Sequence, residues 1–155
     1  MINLGATRQE YYVGLLIIYI TWAFLFTALN VIWYQVEEHF INNFQGTFNI
    51  LDIFHWNRHG LPGTLLYQFG TYMLLISLLS MLCSGLRHYA GWILWVVLIA
   101  AIPIGTSIPY LRRHVADGLT ALLFNSSLPA GVGLTWGLSA LFLLGGWLFT
   151  SRREF

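Results

Sequence analysis

His55 and His59 stand four apart in the segment Phe54-His55-Trp56-Asn57-Arg58-His59. On one face of a helix such a pair can ligate a metal ion. A metal needs further ligands, and only Asp52, His39 and Glu38 lie near in the chain. Arg58, between the two imidazoles, opposes a cation. His55 and His59 are therefore weak metal candidates, and the segment reads first as an interfacial loop of amphipathic His and Trp. Haem ligation would need His residues inside the apolar segments and facing one another, whereas all five lie outside them or at their ends. Cys83 is the one thiol, near His88, so there is no intrachain disulfide and no Cys-x-x-Cys redox pair. No nucleophile–base pair and no phosphate-cradling glycine loop stands out. The sequence thus predicts neither catalysis nor a resident cofactor, and no nucleotide bound by this chain alone.

The surrounding elements explain this poverty of chemistry. Apolar types make up 57% of the 155 residues and charged ones 8%, where a soluble domain carries roughly 25% charge. Net charge is +1, so there is no basic stripe for nucleic acid. A bilayer core about 30 Å thick takes roughly 20 helical residues, and four uncharged windows meet that length. The fold class read from them is an all-α integral membrane protein forming a single transmembrane domain over residues 1–155. Its four spans are placed at about 12–34, 64–85, 91–109 and 131–150. The second is expected to start after a Leu61-Pro62-Gly63 break, and Pro103 and Pro109 to bend or end the third. The first apolar run is too long for the h-region of a cleaved signal.

Between the spans, Phe44, Phe48, Leu51 and Phe54 recur at helical spacing, with Asn43, Gln45, Asn49 and Asp52 between them. This predicts a short helix lying in the membrane interface. A second is expected within residues 111–130, from Val115 to Phe124, closed by Asn125-Ser126-Ser127 and Pro129. Asn125 also heads a glycosylation-type triplet. Arg8, Arg87, Arg152 and Arg153 flank the spans on one side, Arg58, Arg112 and Arg113 on the other. The short Arg87-His88 connection and the Arg-Arg tail place both termini in the cytoplasm. Both longer loops, with their short helices, then face outward.

No acid lies mid-span, which argues against ion-coupled transport through these helices. Asn30, Gln68 and Ser77 are the polar groups near membrane depth, and they read as interhelical hydrogen-bonding groups. Gly133 and Gly137 have G-x-x-x-G spacing, which permits close helix packing, either within the chain or against a second membrane subunit.

Three segments carry a resemblance. Leu4-Gly5-Ala6-Thr7-Arg8-Gln9-Glu10-Tyr11-Tyr12-Val13-Gly14 is similar to a run that leads from the cytoplasm into a transmembrane helix in the permease subunits of bacterial ABC transporters of the type-2 exporter class. Gly85-Leu86-Arg87-His88-Tyr89-Ala90-Gly91-Trp92 resembles the short basic turn between two later helices of that family. Trp147-Leu148-Phe149-Thr150-Ser151-Arg152-Arg153-Glu154-Phe155 resembles its closing pattern. Members usually have six spans, with the first of these runs internal, so this chain looks like a permease shortened at its N-terminus, a fragment of one, or a small subunit that completes the bundle with another polypeptide.

The resemblance implies a permease component in the bacterial cell membrane. It would move a hydrophobic or peptide-like substrate with energy from a separate ATP-binding subunit, beside a second membrane subunit. It further implies that Arg8 and Glu10, and Arg87 and His88, are cytoplasmic contacts coupling the helices to that ATPase, and that the outward loop helices form a gate. An alternative that fits the four aromatic-rich helices is an accessory structural subunit of a larger respiratory or photosynthetic complex. A third is a small enzyme of lipid or quinone using His55 and His59.

Overall fold

The structure, a computed structural model, describes residues 7–41, 53–86 and 88–151. The expected interfacial helix falls outside these over 44–52, as do Arg87, Arg152 and Arg153.

Helix α1 spans Arg8–Val36. Thr7 starts it from an extended conformation with a reciprocal capping box. Its hydroxyl accepts from the Glu10 amide at 3.2 Å, and the Glu10 carboxylate accepts from the Thr7 amide at 2.7 Å. Two otherwise orphaned amides are thereby satisfied, and the acid sits at the positive end of the helix dipole. At 29 residues α1 is about 43 Å long, more than a bilayer core requires, and its last turn widens into a π-helical stretch, Glu37–Ile41.

After a 3₁₀ turn at Trp56–His59, helix α2 runs Gly60–Gly85. The expected break at Leu61-Pro62-Gly63 is absent, and the helix starts four residues before Thr64. Pro62 falls in the first turn, where an amide has no intrahelical partner to lose. The reversal lies at Gly60 instead, whose φ of +68° favours glycine.

Helix α3 spans Tyr89–Ser107 and carries Pro103 internally. Ile108 is extended, as a residue before proline tends to be, and Pro109 opens helix α4, Pro109–Leu123. Pro109 therefore ends one helix and starts the next, and the second loop helix begins six residues before the expected Val115. The Asn125 side chain accepts from the Ser127 amide at 2.9 Å, making the turn into helix α5, Leu128–Ser151.

Among the described residues the chain is all-helical, and α1, α2, α3 and α5 are each long and apolar enough to cross a membrane. The protein is a multi-pass membrane protein by this architecture. Its burial pattern is inverted relative to a soluble domain. Large apolar side chains such as Phe24, Ile32, Val96, Ile99 and Leu141 face outward, while Thr27, Ser77, Thr135 and Ser139 are buried. Each buried hydroxyl donates to a carbonyl three or four residues back in its own helix, so none is left unpaired in the low-dielectric interior.

Helix α2 is central. It packs most extensively on α5, then on α1, with α3 leaning against it at one end. Small residues set these distances. A Cβ on Gly70 would lie 2.6 Å from the Thr135 hydroxyl, and one on Gly131 would overlap the Tyr67 ring. At the α2–α3 turn the backbones meet at Gly85 and Gly91, where a Cβ on Gly91 would overlap the Gly85 carbonyl.

Candidate functional site

The two ends of the bundle hold its polar structure. At the end where α1 and α3 begin and α2 and α5 finish, Arg8 donates to the Ser151 carbonyl at 2.6 Å. His88 Nε2 donates to the Phe149 carbonyl at 3.1 Å, and its ring stacks on Phe149 at 5.9 Å. Tyr12 donates to the Leu143 carbonyl and packs its ring on Trp147 at 4.9 Å. The last turn of any helix exposes carbonyls without intrahelical donors and carries partial negative charge, so a guanidinium and an imidazole N–H are the donors suited to that end of α5. Of the residues expected to act together, Arg8 and His88 meet at one helix terminus. Glu10 caps α1 beside them, and Arg87 is outside the described residues.

At the opposite end α4 is pinned under the loop. Trp56 Nε1 donates to the Leu123 carbonyl at 2.8 Å, and the Tyr67 hydroxyl to the Leu122 carbonyl at 2.5 Å. Both carbonyls belong to the last turn of α4, and the two rings stack at 5.1 Å. Thr64 in turn donates to the Trp56 carbonyl at 3.0 Å.

Between α2 and α4 these contacts leave a partly open cavity of about 440 Å³. Leu74, Leu75 and Leu78 wall it from α2, Leu119 and Leu122 from α4, and Trp56 beside them. Gln68, Thr71 and Tyr72 are its polar wall. A second cavity of about 450 Å³ lies between the far ends of α1 and α2, edged by Gln35, Arg58 and Thr64.

The His pair does not share a helical face. His55 sits in a turn at φ +55°, a left-handed conformation, and His59 ends the 3₁₀ turn with its ring parallel to Tyr67. The helical spacing assumed for the pair is broken by that turn. Among the described residues no three His, Cys, Asp or Glu side chains converge on a metal-sized site.

Gly133 and Gly137 face away from the other described residues, with none of them within 4 Å of a Cβ placed on either. Packing within the chain falls to Gly131, about half a turn round α5 from Gly133, and to Gly70 and Gly145. Of the polar groups at membrane depth, Asn30 donates to the Tyr72 hydroxyl across α1 and α2, and Ser77 bonds within its own helix. Gln68 differs, because its Oε1 is buried without a partner.

Sequence reasoning missed the tyrosines. Tyr12 and Tyr67 each fix one helix to a distant carbonyl, and Tyr19 donates to Ser80 across α1 and α2 at 2.8 Å. The signal was present, since a phenol inside an apolar helix needs a partner for its hydroxyl.

Comparison with protein-family models, with characterised proteins and with solved structures finds no match.

Proposed function

We propose that this chain is a membrane-spanning permease component of an ATP-driven transporter, moving a hydrophobic or peptide-like substrate with energy from a separate ATP-binding subunit. The observation that carries the reading is the meeting of its three motif segments. Residues from 4–14, 85–92 and 147–155 are far apart in the chain, yet Arg8 bonds Ser151, His88 bonds Phe149 and Tyr12 packs on Trp147. In this reading that end is cytoplasmic. Motion of an ATPase seated on it reaches three helices at once through Arg8, His88 and the end of α5, with Glu10 holding the first turn of α1 in place. Arg87, next to His88 in the sequence and outside the described residues, is assigned the same role by the resemblance alone.

Helix α4 then lies outward in the interface. Leu119 and Leu122 turn towards α2, while Arg112, Arg113 and Asp117 supply its polar side. The outward-facing Gly133 and Gly137 offer a close-approach face for a second membrane subunit. Localisation is the bacterial cell membrane, with both termini inside.

Purification of the tagged chain from its own membranes tests the reading. An ATP-binding protein should co-purify, and its ATPase activity should rise when the chain is reconstituted with it. Arg8→Ala should cut that stimulation while the helical content of the chain is unchanged. An accessory role in a larger respiratory or photosynthetic complex is the second reading. It is favoured by α3, whose apolar surface is exposed along nearly its whole length, and co-purifying electron-transfer subunits would decide for it.

A further inference from the structure

The cavity between the last turns of α1 and the first turn of α2, about 450 Å³, differs in its lining from the leucine-walled one between α2 and α4. Val31 and Leu61 are its apolar part, while Gln35, Arg58 and Thr64 bring an amide, a guanidinium and a hydroxyl to it. The Thr64 hydroxyl is committed to the Trp56 and Gly60 carbonyls at 3.0 Å each. The other two groups are not committed. Among the described residues nothing pairs with the exposed Arg58 guanidinium or with the half-buried Gln35 amide. No acidic side chain among the described residues lines the cavity. A cation without a counter-ion, beside a free amide N–H in a concave site of small-molecule size, is an arrangement that takes an anion.

Depth in the membrane says which anion. Helix α1 is about 43 Å long, against a bilayer core of about 30 Å, so a centred crossing leaves about four residues at each end among the headgroups. Gln35 is in that last turn, and Arg58 and Leu61 line the same cavity from the start of α2. We infer that this cavity binds the phosphate of a phospholipid headgroup. Arg58 is its counter-charge, since the planar fork of a guanidinium matches two phosphate oxygens. The Gln35 amide is a second donor, and Val31 and Leu61 meet the start of the acyl chains. The inference goes beyond the transporter reading and stands apart from it, since binding belongs to this chain alone and needs no ATPase.

The test uses the full chain, purified in detergent and stripped of lipid, with native mass spectrometry reading the affinity for the first lipid bound. The probes are phosphatidylglycerol, the diacylglycerol with the same acyl chains, and inorganic phosphate. Phosphatidylglycerol should bind roughly tenfold more tightly than diacylglycerol, the difference expected for a hydrogen bond to a charged group. Arg58→Gln should bring it to the level of diacylglycerol, and Gln35→Leu should weaken it several-fold. Arg112→Gln, on α4 and outside the cavity, should leave it unchanged. Millimolar inorganic phosphate should not displace the lipid, and displacement would overturn the assignment to a headgroup. Equal binding of the two lipids by the natural chain would overturn the inference, as would phosphatidylglycerol binding indifferent to Arg58→Gln. The comparison of the two lipids needs no variant, so it decides the matter even if a variant does not fold.

Discussion

At the scale of single residues, the glycines separate into two classes that spacing alone does not distinguish. Gly131 packs against the Tyr67 ring and Gly91 against the Gly85 backbone, whereas Gly133 and Gly137 meet nothing among the described residues. Gly131→Ala should therefore destabilise the chain by about 1–3 kcal/mol through overpacking, and Gly91→Ala by at least as much, because backbone rather than a movable side chain lies in the way. Gly133→Ala should be neutral or slightly stabilising, since alanine is the better helix former. Thermal unfolding of the purified variants checks all three. The G-x-x-x-G motif was legible in the sequence, but the partner of its face was not. Three- and four-residue spacings mark small faces all along α5, and only the rotation of the helix against α2 decides which is covered. The His55/His59 pair failed for a related reason. Its spacing signals a shared face only inside a continuous helix, and the left-handed turn at His55 interrupts it.

At the scale of elements, hydropathy located four long helices because only an uncharged run of about 20 residues can cross a bilayer. Their ends were less legible. Pro109 ends α3 as expected but also opens α4, and Pro62, read as a break, stands in the first turn of α2, positions where its missing amide costs nothing. The attachment of α4 was invisible in the sequence because it depends on two side chains, Trp56 and Tyr67, bonding backbone carbonyls more than fifty residues away. Tyr67→Phe removes one of these bonds with little change in shape and should cost about 1 kcal/mol. Hydrogen exchange should show faster exchange confined mainly to α4 and the turn after it, with the α1–α2 contact unaffected. The first turn of α1 is a separate unit, and Thr7→Ala, which loses the capping hydroxyl, should cost about 1 kcal/mol, read as faster amide exchange over residues 8–11.

At the scale of the whole molecule, composition was the most informative feature. A chain with 8% charged residues cannot coat itself for water, and the structure accordingly turns leucine, isoleucine and phenylalanine outward and keeps hydroxyls inside. The proposed reading takes its driving energy from a partner, in keeping with the lack of acidic residues in the middle of the four long helices among the described residues. On the proposed topology the four long helices all cross and the start of α1 and the end of α5 lie on one side, so a reporter fused after residue 155 should read as cytoplasmic. The proposed function seats that partner at the bundle end where Arg8, Tyr12 and His88 bond carbonyls of α5. The most direct test is to reconstitute the chain with the ATP-binding protein that co-purifies with it and to measure ATP hydrolysis with the natural chain, with Arg8→Ala and with His88→Ala. The account predicts stimulation by the natural chain, reduced several-fold in each variant while both variants stay folded. A chain that purifies without any ATP-binding protein, or stimulation indifferent to both substitutions, would contradict it.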